Sequence, residues 1–134
     1  MVKSLSVIMV FIIAMTLLNC NEKNANSDEI TIQFLKAEFD AGKDFYLLDV
    51  RTLPEYTAGH LSFTDDLIAY DQLAQHLDKI PQDKSTTMYI FCRTSRRSGI
   101  ATSYLRSIGY PNVYNVLGGI VAWQNAGFEI VSGN

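Results

Sequence analysis

Cysteine is scarce in this chain: Cys20 and Cys92 are the only two in 134 residues. Histidine is limited to His60 and His76, so no Cys/His cluster with metal-ligand spacing exists and no zinc site is expected. A strong charge of one sign is missing as well. The 11 basic and 14 acidic residues leave a formal charge of −3, and a mildly acidic chain is a poor partner for nucleic acid. Long apolar runs are also lacking; the longest, residues 5–18, falls short of the roughly 20 residues that a spanning helix needs. No internal repeat appears, and no low-complexity region beyond a short polar, Asn-rich stretch after that run.

The N-terminal run is narrower in meaning. Lys3 followed by residues 5–18 has the charge and length of an export signal. Leu17, Leu18, Asn19 and Cys20 then resemble a bacterial lipobox, with Asn19 standing where that pattern has a small residue. The resemblance implies cleavage after residue 19 and a lipid on Cys20; plain cleavage to a soluble exported protein and an uncleaved signal anchor are the alternatives. The expected organisation is a signal over 1–19, a lipidated cysteine and flexible tether over 20–28, and one domain over 29–134. Loss of Lys3, the one charged residue of the signal, takes the formal charge from −3 to −4. The implied location is the periplasmic or cell-surface side of a membrane, held there by the lipid.

The remaining hundred or so residues are enough for one core without metals or disulfides. Residues 45–50 and 88–91 are short, almost wholly apolar runs, the pattern of strands buried on both faces of a parallel sheet. Shorter strands are expected at 67–69 and 113–116. Helices are expected over about 32–39, closing near Gly42; in a short piece opened by Pro54; along Tyr70, Leu73, Leu77 and Ile80 up to Pro81; and along Ile100, Tyr104, Leu105 and Ile108, ended by Gly109 and Pro111. His76, on the third of these, reads as a surface residue and Trp123 as core. Strand and helix alternate, which gives a three-layer α/β domain with a parallel sheet.

Chemistry concentrates at Cys92. The residue closes the apolar run 88–91 and is followed by Arg93, Thr94, Ser95, Arg96, Arg97 and Ser98 at the start of a helical pattern. Unpaired N–H groups and the dipole of a helix start favour an anion, and cationic neighbours favour a thiolate. The plain alternative is a buried core cysteine, but three arginines within five residues argue against it. In an otherwise acidic chain this local positive charge points to a small anionic ligand rather than a polyanion. With Cys20 carrying lipid, Cys92 is a free thiol in an exported protein.

Three segments in order resemble the rhodanese-homology sulfurtransferases. Cys92, four residues and then Arg97-Ser98 resemble the family's active-site loop; residues 47–61, with Asp49, Val50, Arg51, Glu55, Gly59 and His60, resemble its upstream signature; residues 117–128, with Gly118, Gly119 and Trp123, resemble its C-terminal signature. The resemblance covers roughly residues 30–131. Ser95 stands where many members have glycine, and residues 62–66 replace the usual turn after the Gly-His pair.

The resemblance implies a five-stranded parallel sheet flanked by helices and a sulfurtransferase that uses no metal and no cofactor. Cys92 is then the nucleophile, receiving a sulfur from thiosulfate or a similar anionic donor and passing it to cyanide or a thiol. Residues 93–98 bind the donor, with their N–H groups around the sulfur, Arg97 as the first choice for its charge, and Arg93 and Arg96 recruiting it or simply exposed. Asp49, Arg51, Glu55 and His60 are supports, with Glu55 a candidate partner for Arg51, and Gly118 and Gly119 turn the backbone tightly. A monomer is expected. Two other classes stay open. Cysteine phosphatases or arsenate reductases of related fold have one residue more between cysteine and arginine, and a non-enzymatic sulfur-binding or sensing module typically lacks the cysteine.

Overall fold

The computed structural model describes residues 27–133; the signal, Cys20 and most of the tether lie outside them. The chain forms β1 (Glu29–Ile30), α1 (Ile32–Asp40), β2 (Tyr46–Asp49), α2 (Leu53–Ala58), β3 (Asp66–Leu67), β4 (Met88–Phe91), α3 (Arg96–Ser107), β5 (Val113–Val116) and α4 (Gly119–Asn125). The strands make one sheet in the order β1-β5-β4-β2-β3. Every pairing in it is parallel.

The period-two geometry of a strand explains the three layers. In β2 and β4, Leu47, Tyr89 and Phe91 face one side, where they pack with Leu35 of α1 and with Ile120 and Trp123 of α4. Leu48, Met88 and Ile90 face the other, against Leu105 of α3 and the segment holding Leu73 and Ile80. These central strands are buried on both faces, hence their unbroken apolar sequence. Each fully buried aliphatic side chain contributes about 1.5–3 kcal/mol.

Most boundaries follow local chemistry. The Thr31 hydroxyl accepts from Phe34 N–H and opens α1. Pro54 sits in the first turn of α2, where a missing N–H costs nothing. After α3 the N–H of Tyr110 reaches back to the Leu105 carbonyl and Gly109 takes a positive φ of 101°, the Schellman stop.

Two expectations are corrected, and the place of one strand is new. Residues 70–80 do not form a regular helix but two 3₁₀ turns, Leu73–Gln75 and Leu77–Lys79, which meet at His76. Their spacing of apolar residues still works, because i to i+3 bonds such as His76 N–H to Leu73 carbonyl bring Leu73 and Ile80 inward. Ile100 is 45% exposed, and the buried stripe of α3 is Ser98, Ala101, Thr102 and Leu105. The fifth strand is β1, only two residues long and placed by pairing with β5 rather than by any apolar run of its own.

Candidate active site

Cys92 follows β4 directly and is 1% exposed, at the C-terminal end of the sheet. The loop behind it is held from both sides. The carbonyls of Cys92 and Arg93 accept from the N–H groups of Ile120 and Val121 in the first turn of α4, at 3.0 and 3.1 Å. That docking explains Gly119: a Cβ there would lie 2.3 Å from the Cys92 carbonyl oxygen, and the backbone has a φ of +51°. Ser95 adds a pin where a glycine could not. Its hydroxyl donates to the Thr94 carbonyl and accepts from Gly118 N–H at 2.9 Å.

The N–H groups of residues 93–98 bond to no acceptor among the described residues. They combine the unpaired donors of a helix start with those of a curled loop, an arrangement that holds an anion. The Cys92 Sγ lies 3.1 Å from Ser98 Oγ, and Ser98 Oγ donates to Asn115 Oδ1 of β5 at 2.6 Å. Asn115 was not singled out in the sequence. The one available signal was an amide inside the otherwise apolar run of β5.

The arginines divide into paired and unpaired. Arg97 forks onto Glu55, Nη1 to Oε2 at 2.8 Å and Nη2 to Oε1 at 2.6 Å. This bond, first among several causes, lowers the Glu55 carboxyl to about 2, and Glu55 in turn raises the Arg97 guanidinium above its ordinary value. Glu55 also accepts from the Thr52 N–H and hydroxyl, closing the start of α2. The expected pairing of Glu55 with Arg51 is therefore corrected. Arg51 bonds Asp49 through Nε and Nη2, and reaches only the backbone carbonyls of Glu55 and Gly59. Arg93 and Arg96 have no acidic partner among the described residues and are exposed.

His60 stacks on Tyr56 with ring centroids 3.7 Å apart. Its Nδ1 meets the Tyr56 carbonyl at 2.9 Å and its backbone bridges Val131, so it ties α2 to the C-terminal segment. Trp123 is core, its Nε1 donating to the Glu129 carbonyl. Two clefts flank the loop. One of about 300 Å³ is lined by Arg51, Glu55, Arg93 and Gln124 among others; one of about 800 Å³ is lined by Thr94, Ser95, Arg96 and Asn115 among others. Cys92 lines neither, while residues of the loop that follows it line both. Among the described residues no three His, Cys, Asp or Glu side chains gather as a metal set, and no helix is long and apolar enough to cross a membrane.

Comparison with known proteins agrees with this geometry. Residues 31–126 match the family model described as the rhodanese-like domain. A sulfurtransferase of Allochromatium vinosum is 36% identical over 110 residues, covering 78% of this chain and 95% of the relative. The adenylyltransferase and sulfurtransferase uba4 of Ogataea parapolymorpha is 30% identical over 105 residues, 78% of this chain, and the chain spans only 26% of that longer protein. Among solved structures, a rhodanese-like domain protein of Staphylococcus aureus has a TM-score of 0.66 at 32% identity, covering 78% of this chain and 98% of the other.

Proposed function

The chain belongs to the rhodanese-like domain family, and from that premise we propose that it transfers a sulfane sulfur through a persulfide on Cys92. The observation that carries this reading is the buried Cys92 at the end of β4, followed by six residues whose N–H groups bond to no acceptor among the described residues. In the first half-reaction the Cys92 thiolate forms a bond to the outer sulfur of thiosulfate. The S–S bond of the donor breaks and its electron pair leaves with sulfite. In the second, cyanide or a thiol bonds to the outer sulfur, and the Cys92–sulfur bond breaks to return the thiolate. Both stages carry negative charge at the same place, so fixed N–H donors stabilise the whole cycle without a proton relay or metal.

The donor's charge is met by the arginines that have none of their own to balance. Arg97 is committed to Glu55 and shapes the loop, while Arg93, at the edge of the 300 Å³ cleft, and Arg96, at the edge of the larger one, are free to draw in a dianion. Asp49, Arg51 and His60 hold the surrounding backbone.

The test is direct. The protein is incubated with thiosulfate and its intact mass read without reductant, where a gain of one sulfur, about 32 Da, is expected for a persulfide held by loop N–H groups. The gain is lost in Cys92→Ser and on adding cyanide. A wild-type protein with a free thiol that never gains mass sinks the reading; hydrolysis of an aryl phosphate instead points to a phosphatase, and neither reaction to a binding module.

For the segment outside the described residues, the reading is export with removal of residues 1–19, a lipid on Cys20, and residues 20–28 as a tether between membrane and domain. Labelled palmitate entering the wild-type chain in a bacterial host, and not Cys20→Ala, supports it. An unmodified mature chain starting elsewhere retires it and leaves the sulfur chemistry standing.

A further inference from the structure

Behind the reactive sulfur lies a short chain of hydrogen bonds that ends in a buried amide. Ser98 is wholly buried and Asn115 is 6% exposed. Ser98 Oγ lies 2.6 Å from Asn115 Oδ1, 3.1 Å from Cys92 Sγ and 3.2 Å from the Ser95 carbonyl oxygen. The amide's orientation follows from its neighbours. Its other end faces the Ser95 carbonyl at 3.3 Å, and a carbonyl only accepts, so that end is Nδ2 and Oδ1 faces Ser98. The 2.6 Å separation is also an O–H···O length, short for N–H···O. Gly99 keeps the place open, since a Cβ there would come within 3.2 Å of Asn115 Nδ2.

A serine hydroxyl has one proton. With that proton on Asn115, Ser98 turns a lone pair toward Cys92. A lone pair suits a thiol that donates its S–H, makes no hydrogen bond to the inner sulfur of a persulfide, and opposes an anionic sulfur. We infer that Ser98 is a hydroxyl switch set by Asn115: its proton rests on the amide while the Cys92 sulfur is neutral and turns to Sγ when that sulfur becomes charged. This inference rests on the persulfide reading above.

The turn matters when the sulfur is handed on. The acceptor's lone pair bonds to the outer sulfur, the bond between outer sulfur and Sγ breaks, and its electron pair stays on Sγ. Donation by Ser98 stabilises that departing thiolate, while breaking the bond to Asn115 opposes the turn. Ser98 therefore promotes discharge and Asn115 restrains it. Both are positioning residues, and removing them has effects of opposite sign.

The full-length chain is loaded with thiosulfate, freed of excess donor and mixed with cyanide, and loss of the added sulfur is followed by intact mass. Ser98→Ala is expected to discharge about tenfold more slowly, the scale of one hydrogen bond to a charged group. Asn115→Leu, similar in volume, is expected to discharge faster, by up to about tenfold, because the 2.6 Å bond no longer holds the proton back and only the longer contact to the Ser95 carbonyl, at 3.2 Å, remains. The double variant should discharge as slowly as Ser98→Ala, since without the Ser98 hydroxyl the amide has no proton to hold back. Rates are compared for variants that keep the wild-type near-ultraviolet circular dichroism, with Asn115→Ala carrying the same expectation if Asn115→Leu does not fold. A wild-type chain that takes up no sulfur overturns the persulfide reading and this inference with it. A wild-type chain that loads normally while Ser98→Ala is not slowed, or the Asn115 variant is not faster, overturns this inference alone.

Discussion

Two arginine–carboxylate pairs stand beside the loop that follows Cys92, and their burial differs. In Asp49–Arg51 the side chains are 0% and 3% exposed, joined at 2.7 Å and closed further by the Gly59 carbonyl. In Glu55–Arg97 they are 31% and 20% exposed, joined at 2.6 Å across 42 residues of sequence. The first is local in sequence and shut away from water, at the end of β2. The second bridges α2 to the start of α3 and is partly wet. Inside, a charge without its partner is very costly, so neither member of the first pair can be removed alone without a large loss of stability. At a half-exposed site water replaces much of what a partner supplies, so the second can be altered with a folded protein remaining. Loop chemistry can be tuned at the second pair and not at the first.

The sharpest way to break that contrast is Asp49→Ala. It strands the Arg51 guanidinium in the core and is expected to cost about 3–5 kcal/mol in chemical denaturation. A loss below about 1 kcal/mol, the range of exposed pairs, would make the two pairs equivalent.

Arg93 extends the comparison to an arginine with no acid beside it. If a free guanidinium is what the donor meets, Arg93→Ala raises the Michaelis constant for thiosulfate about tenfold with little change in kcat, as for loss of one charge-assisted contact. Arg97→Ala, by contrast, is expected to act mainly on kcat, through a loosened loop. A Michaelis constant that rises only in Arg97→Ala would return donor binding to Arg97.

The smallest expected effect is on acid stability. Glu55 titrates at about 2 in the folded protein against 4.5 for an ordinary glutamate, chiefly because Arg97 bonds its ionised form. The stabilisation is present in full above 4.5 and is lost as pH falls through 4.5 toward 2. Glu55→Gln should cost no more than about 1 kcal/mol at neutral pH, and its stability should fall less steeply than wild type over that acid window. Parallel curves for the two proteins would show that Glu55 does not carry the dependence.

What could be read in the sequence was whatever depends on neighbours along the chain. The apolar runs at 45–50 and 88–91 announced strands buried on both faces, and Val113–Val116 and Met88–Phe91 have the bounds that pattern implied. Pro54 and Gly109 marked helix ends through their own backbone limits. Cys92 at the junction of strand and helix, with its arginines, was visible as the candidate nucleophile, because residue order alone puts it directly after β4.

Tertiary structure decided the partners. Only the sheet order β1-β5-β4-β2-β3 sets β5 beside β4, so that an amide on one meets a hydroxyl on the helix after the other. The same order brings Glu55 to Arg97 rather than to Arg51, four residues away, which Asp49 had already claimed at shorter range. The two-residue β1 and the 3₁₀ turns at 73–79 escaped for the same reason. So short a strand has no period of its own to read, and a spacing of three or four residues fits a 3₁₀ turn as well as an α-helix until the packing chooses between them.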